Sequence, residues 1–164
     1  MIRHALAALA LAACAGVTAT TDAQTIRQYQ FAPLEGGGYR LAMRTVPEPT
    51  AGAGQVLVRV HAVSLNRRDV TMLNGNYGPG GAAAGGIPLS DGAGEVVAVG
   101  SGVTRLRIGD RVAGIFFEDW IDGDRSAAAL ASARGGGPCG MLSEIVVTDA
   151  ASLVEIPEHL SFEE

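Results

Sequence analysis

The chain has 164 residues, 48% of them apolar, and a net charge of −5. That is room for one domain with a hydrophobic core, and the acidic balance, with no basic cluster beyond Arg67-Arg68, excludes a nucleic-acid-binding surface. All 12 basic side chains are arginine, which excludes a Schiff-base or P-loop lysine.

Met1-Ile2-Arg3-His4 is a weakly basic start, Ala5 to Gly16 a run of small apolar residues, and Thr18 to Ala23 small and mostly polar. This order of regions predicts a secretory signal over 1–23, cut after Ala23, and a periplasmic or secreted product. Two alternatives stand beside it. Leu11-Ala12-Ala13-Cys14 has the form of a bacterial lipoprotein box, which would tie the chain to a membrane through Cys14, and a mis-assigned start would leave a cytoplasmic protein beginning near Gln24. Cleavage after Ala23 leaves Cys139 as the sole cysteine, so residues 24–164 must rest on their core without a disulfide framework.

From Thr25 the pattern is rich in strands. Ile26 to Phe31 and Tyr39 to Val46 read as strands around the turn Glu35-Gly36-Gly37-Gly38. Gln55 to Val63 alternates, with Val56, Val58, Val60 and Ala62 on one face and Arg59 and His61 on the other. Asn66 to Leu73 fits two helical turns stopped by Asn74-Gly75, and Tyr77 to Gly86 a surface loop. After Asp91-Gly92-Ala93-Gly94, the short Val-rich run Val96 to Val99 favours a strand over a helix. Gly100-Ser101-Gly102 and Gly109-Asp110 are turn chemistry before a further strand, Arg111 to Gly114. Ser126 to Arg134 predicts a short Ala-rich helix; Met141 to Val147 and Ser152 to Ile156 predict strands. Gly92-Ala93-Gly94 lacks the third glycine of a dinucleotide fingerprint and opens no helix, so these glycines are architectural. Many short strands and few helices indicate a mainly β fold, a small, partly open barrel or sandwich.

The order of Gln55 to Val60, Ser64-Leu65-Asn66-Arg67-Arg68-Asp69, Gly75-Asn76-Tyr77, Pro88 to Gly114, Gly140 to Glu144 and Pro157 to Glu164 resembles the medium-chain dehydrogenase/reductase superfamily. The likeness is to the N-terminal GroES-like domain of its zinc-free alcohol dehydrogenase and quinone oxidoreductase branch, and it covers nearly all of 25–164. It implies a partly open GroES-like β-barrel with short helices, on the substrate side of an NAD- or NADP-dependent oxidoreductase acting on a small carbonyl, quinone or alcohol. The cofactor half, a Rossmann domain, is absent from this chain. Full-length members are often homodimers. Zinc-bearing members carry Cys three residues before the Asp and Gly-His-Glu before the later Gly-x-Gly; here Asn66 precedes Asp69, and Leu89-Ser90-Asp91 stands at the second motif. An amide and a hydroxyl do not make a catalytic zinc site. His61 and His159 are not at ligand spacing, and 116–138 lacks the cysteines of a structural zinc lobe. No metal is expected.

The resemblance implies Asn66 and Asp69 as catalytic candidates and Asn66, Tyr77 and Trp120 as substrate- or cofactor-binding candidates. Without a Lewis acid, such a site polarises a carbonyl with neutral hydrogen-bond donors. Each residue also has a plain structural reading: Asn66 as a helix cap, Asp69 as part of the helix start, Tyr77 and Trp120 as packing, Cys139 as a loop thiol. Ser161-Phe162-Glu163-Glu164 has the S-x-x-E form of a helix start, so the sequence reads as a truncated chain that transfers no hydride alone. A non-enzymatic exported binding module is the alternative.

Overall fold

A computed structural model describes residues 24–78, 81–137 and 139–164. The expected signal and the Cys14 box lie outside them.

Two strands, β1 (Thr25–Pro33) and β2 (Tyr39–Pro47), form an antiparallel hairpin in full register from Thr25↔Pro47 to Pro33↔Tyr39. Their turn falls at Glu35 to Gly38, where Gly37 and Gly38 take φ of 93° and 74°, angles only glycine adopts without strain. The remaining strands are β3 (Gln55–Ser64), β4 (Asp91–Val99), β5 (Arg111–Gly114), β6 (Ile145–Asp149) and β7 (Leu153–Glu155). They make one antiparallel sheet in the order β6-β3-β4-β5-β7. Five strands plus a separate hairpin do not close, so the expected mainly β, partly open architecture is the one observed.

Alternation along β3 places its residues on two faces. Val56 and Val58 enter a cluster with Val96, Leu106, Val112, Met141, Val146 and Leu153. Leu57 points the other way, onto Ile26 of the hairpin and Ile145. Burying a Val or Leu side chain is worth about 1.5–3 kcal/mol, so apolar contact on both faces of β3 anchors the sheet.

The helices are α1 (Arg67–Leu73) and α2 (Ala127–Ala131). Asn66 is the N-cap of α1 and Asn74 its C-cap, and Gly75 follows at φ 72°. The hairpin turn packs on this end, with Gly38 so close that a Cβ there would lie 2.6 Å from the Leu73 carbonyl oxygen. Ser126 caps α2 by accepting from the Ala129 N–H at 3.0 Å.

Three local readings change. The helix expected to reach Arg134 ends at Ala131, because the chain must bring Arg134 into the interior, where it is 1% exposed. The strand expected at 141–147 begins only at Ile145; residues 142–144 instead bond to β1, with Tyr29 N–H to the Leu142 carbonyl at 2.9 Å and Glu144 N–H to that of Arg27 at 3.0 Å. The expected surface loop 77–86 leaves the surface at its end, where Gly86 is buried.

The glycines at 92–114 divide into two kinds. Gly102 and Gly109, at φ 80° and 94°, are the expected turn residues. Gly94 and Gly100 instead serve close approach: a Cβ at Gly94 would collide with the Arg59 carbonyl oxygen, and one at Gly100 with that of Gly52. At the other end, Ser161 N–H donates to Glu164 Oε2 at 2.9 Å, the reciprocal half of the expected capping box.

Candidate functional site

The site is assembled where β3, α1 and β4 meet. Ser64, the last residue of β3, is paired across the sheet with Asp91, the first of β4. Two residues on, Asn66 starts α1 and its Nδ2 donates to Asp91 Oδ2 at 2.5 Å. Asp69 Oδ2 accepts from the Asn66 backbone N–H at 2.7 Å, a helix-start contact that fixes the Asn66 backbone. Asp69 is buried, and its second oxygen, Oδ1, has no hydrogen-bond partner among the described residues. Asn66 is thus held from two sides: its backbone by Asp69 and its amide by Asp91. An Asn amide has two N–H donors and a carbonyl acceptor, so the bond to Asp91 leaves further capacity for a ligand.

Leu89 sits just before this point at φ 69°, in the left-handed region a branched side chain rarely adopts. Its carbonyl accepts from the Met141 N–H at 2.9 Å, and its side chain is buried. Such strain costs about 1–3 kcal/mol and persists only where the surroundings hold it. Ser90, next in the chain, is also buried. Among the described residues no three His, Cys, Asp or Glu side chains group to hold a metal ion. A cavity of about 280 Å³ opens beside Ser64 and Asp91, with Gly92, Gly114 and Phe162 in its wall.

Tyr77 is 38% exposed, and its ring lies 4.8 Å from the guanidinium carbon of Arg68. The same guanidinium lies 4.9 Å from the ring of Phe116. Phe116 meets Phe117 edge-on at 4.6 Å, and Phe117 meets Trp120 at 5.7 Å. Trp120 is half-buried and donates its indole N–H to the Gly123 carbonyl at 3.0 Å. Asn66, Asp69 and Tyr77 therefore gather around α1, while Trp120 reaches them only through Phe117, Phe116 and Arg68. Sequence reasoning missed Arg68 and Phe116. The signal available was an Arg beside three candidate residues, in a chain where every other chemistry-bearing cation had to be Arg.

Arg134 was missed as well. It pairs with Glu118 at 2.9 Å and donates to the Ile115 carbonyl at 2.9 Å, Thr148 Oγ1 at 2.8 Å and Ser152 Oγ at 2.7 Å. Burial works against its charge and lowers its pKa, an effect that the Glu118 carboxylate opposes. Cys139 shares this interior. Its thiol pKa is pushed up to about 12, first by burial and then by hydrogen bonding to Glu118 and that carboxylate's charge. Cys139 in the folded chain is expected to resist thiol-exchange and alkylating reagents at pH 8, reacting only on unfolding. A stopped-flow reaction as fast as that of the denatured chain would contradict this. A raised folded-state pKa also means that the thiol favours the fold fully below about pH 9, and that this support fades as pH rises toward 12.

Residues 52–158 match the alcohol dehydrogenase GroES-like domain family. A zinc-type alcohol dehydrogenase-like protein of Schizosaccharomyces pombe is 40% identical over 111 residues, 68% of this chain and 32% of that protein. A quinone oxidoreductase of Pseudomonas aeruginosa is 35% identical over 141 residues, 84% of this chain and 35% of that protein. The acetophenone reductase of Geotrichum candidum, solved with NAD, shares the fold with a TM-score of 0.72 at 20% identity, over 85% of this chain and 42% of its own. The chain spans about a third of the length of the curated relatives it matches.

Proposed function

This chain belongs to the alcohol dehydrogenase GroES-like domain family, and from that premise we propose that it forms the substrate side of a zinc-free, NAD(P)H-dependent reductase of a small quinone, enone or other carbonyl compound. The observation that carries the reading is the Asn66 amide, clamped by Asp91 and still able to donate. Relatives of this chain are oxidoreductases. One is named for zinc, yet the donor set here does not fit that ion: the positions of the resembled ligands hold an amide and a buried serine hydroxyl.

A neutral donor aimed at a carbonyl oxygen stabilises the charge that develops there as hydride arrives at carbon. Asn66 supplies that donor, and the Asp91 contact spares it a search among rotamers. The cavity beside Ser64 and Asp91 adjoins the Asp91 carboxylate that holds this amide. The dinucleotide supplies the hydride when bound; this chain orients the acceptor.

The test joins residues 24–164 to a Rossmann-type nicotinamide-binding domain and follows NADPH oxidation with a simple quinone and an enone. Asn66→Ala is expected to lower kcat by about 10²–10³, the usual effect of removing one such donor, with little change in KM. An unchanged kcat, or turnover lost to a metal chelator, would remove the reading.

A further inference from the structure

We propose that the guanidinium of Arg68 is an oxyanion-binding subsite, taking a carboxylate or phosphoryl oxygen of a ligand bound at the start of α1. Nε, Nη1 and Nη2 of Arg68 are all buried, and none has a hydrogen-bond partner among the described residues. Arg68 also forms no ion pair among the described residues. Its contacts are the rings of Tyr77 and Phe116, at 4.8 and 4.9 Å.

Aromatic faces attract a guanidinium but accept none of its five N–H bonds, which lie in its own plane. A buried donor without an acceptor is costly, and a buried cation without a counter-charge costs more. Arg134 differs: its head group is also buried, but it has a carboxylate, two hydroxyls and a carbonyl. Arg68 has the chemistry of a receptor, because a planar fork pairs with two oxygens of a carboxylate or phosphoryl group. It is the second residue of α1, and at a spacing of two its side chain leaves the helix on a different side from the Asn66 cap, toward Tyr77 and Phe116. Tyr77, more than a third exposed, covers the guanidinium and is the side chain that must move to admit an oxyanion.

The inference rests on the reading of the α1 start as the substrate side, but its test reads no hydride transfer. Benzoate and inorganic phosphate are titrated separately into the 164-residue chain. Two signals are followed: the Arg68 Nε–H resonance and the emission of Trp120, the single tryptophan. A saturable shift of both is expected with at least one anion. A response to benzoate assigns the subsite to a substrate carboxylate, and one to phosphate alone assigns it to a phosphoryl group. Arg68→Met is expected to weaken binding at least tenfold and Arg68→Lys several-fold, while Arg67→Met, at the exposed neighbour, leaves it unchanged. No saturable shift of the Arg68 resonance in the unaltered chain would overturn the proposal, as would equal losses in the Arg67 and Arg68 variants. Should Arg68→Met not fold, the unaltered chain and Arg68→Lys still decide. Anion binding with no turnover in the fused enzyme would remove the reductase and keep the subsite.

Discussion

Arg134→Met is expected to destabilise the fold by about 3–5 kcal/mol, the usual cost of removing one partner from a buried ion pair. The variant leaves the Glu118 carboxylate, 15% exposed, facing an apolar side chain. It also leaves the hydroxyls of Thr148 and Ser152 and the Ile115 carbonyl without the donor that joins them. Those groups belong to β6, the 3₁₀ turn Ala150–Ser152 and the segment after β5, so the loss spreads across three elements that Arg134 bonds at once. For a domain of this size, 3–5 kcal/mol corresponds to a fall in Tm on the order of 10 °C or more. Urea denaturation followed by Trp120 emission gives the number. A loss under about 1 kcal/mol would mean that the network contributes little. Glu118→Gln added to Arg134→Met should recover part of the loss, because it removes the stranded charge.

Gly94→Ala should do comparable damage for a different reason. Gly94 lies in the middle of β4 opposite Val60 of β3, next to an irregularity in register. A Cβ there would collide with the Arg59 carbonyl oxygen and come within 2.8 Å of Val58 Cγ1. Relief requires β3 and β4 to part, and these strands carry Val56, Val58 and Val96 of the main cluster. Overpacking of a core costs about 1–3 kcal/mol where side chains can yield, and a backbone oxygen yields less. The expected result is a loss of 3 kcal/mol or more, or no soluble folded product. Gly102→Ala is the control. Its φ is 80° but a Cβ there meets nothing within 4 Å, so only the backbone cost of about 1–2 kcal/mol applies. Equal effects of the two substitutions would show that β3 and β4 yield to the added Cβ at little cost.

Local chemistry made much of this molecule legible from its residues. The three-glycine turn, the alternation of Gln55 to Val63, the Asn66 start of α1 and the Asn74-Gly75 stop all depend on neighbours in sequence, and each element forms where those neighbours place it. The N-cap role of Asn66 was readable in this way, whereas Asn66, Asp69 and Tyr77 were joined as candidates only by the family resemblance. What the tertiary structure decided depends on residues far apart in the chain. Asn66 and Asp91 are 25 positions apart, and only the pairing of Ser64 with Asp91 brings their side chains within hydrogen-bond reach. Gly92, Gly94 and Gly100 look alike with Gly102 and Gly109 in sequence, yet whether glycine serves a turn or a close approach depends on which strand lies alongside. Arg134 and Arg68 are two arginines of identical local appeal as solvated charges. Long-range packing buries both head groups, giving the first a full set of acceptors and the second only aromatic faces. Sequence neighbours carry dihedral preference and periodicity; they carry no record of which distant carbonyl or carboxylate will stand opposite a side chain, and that is where the chemistry of this site resides.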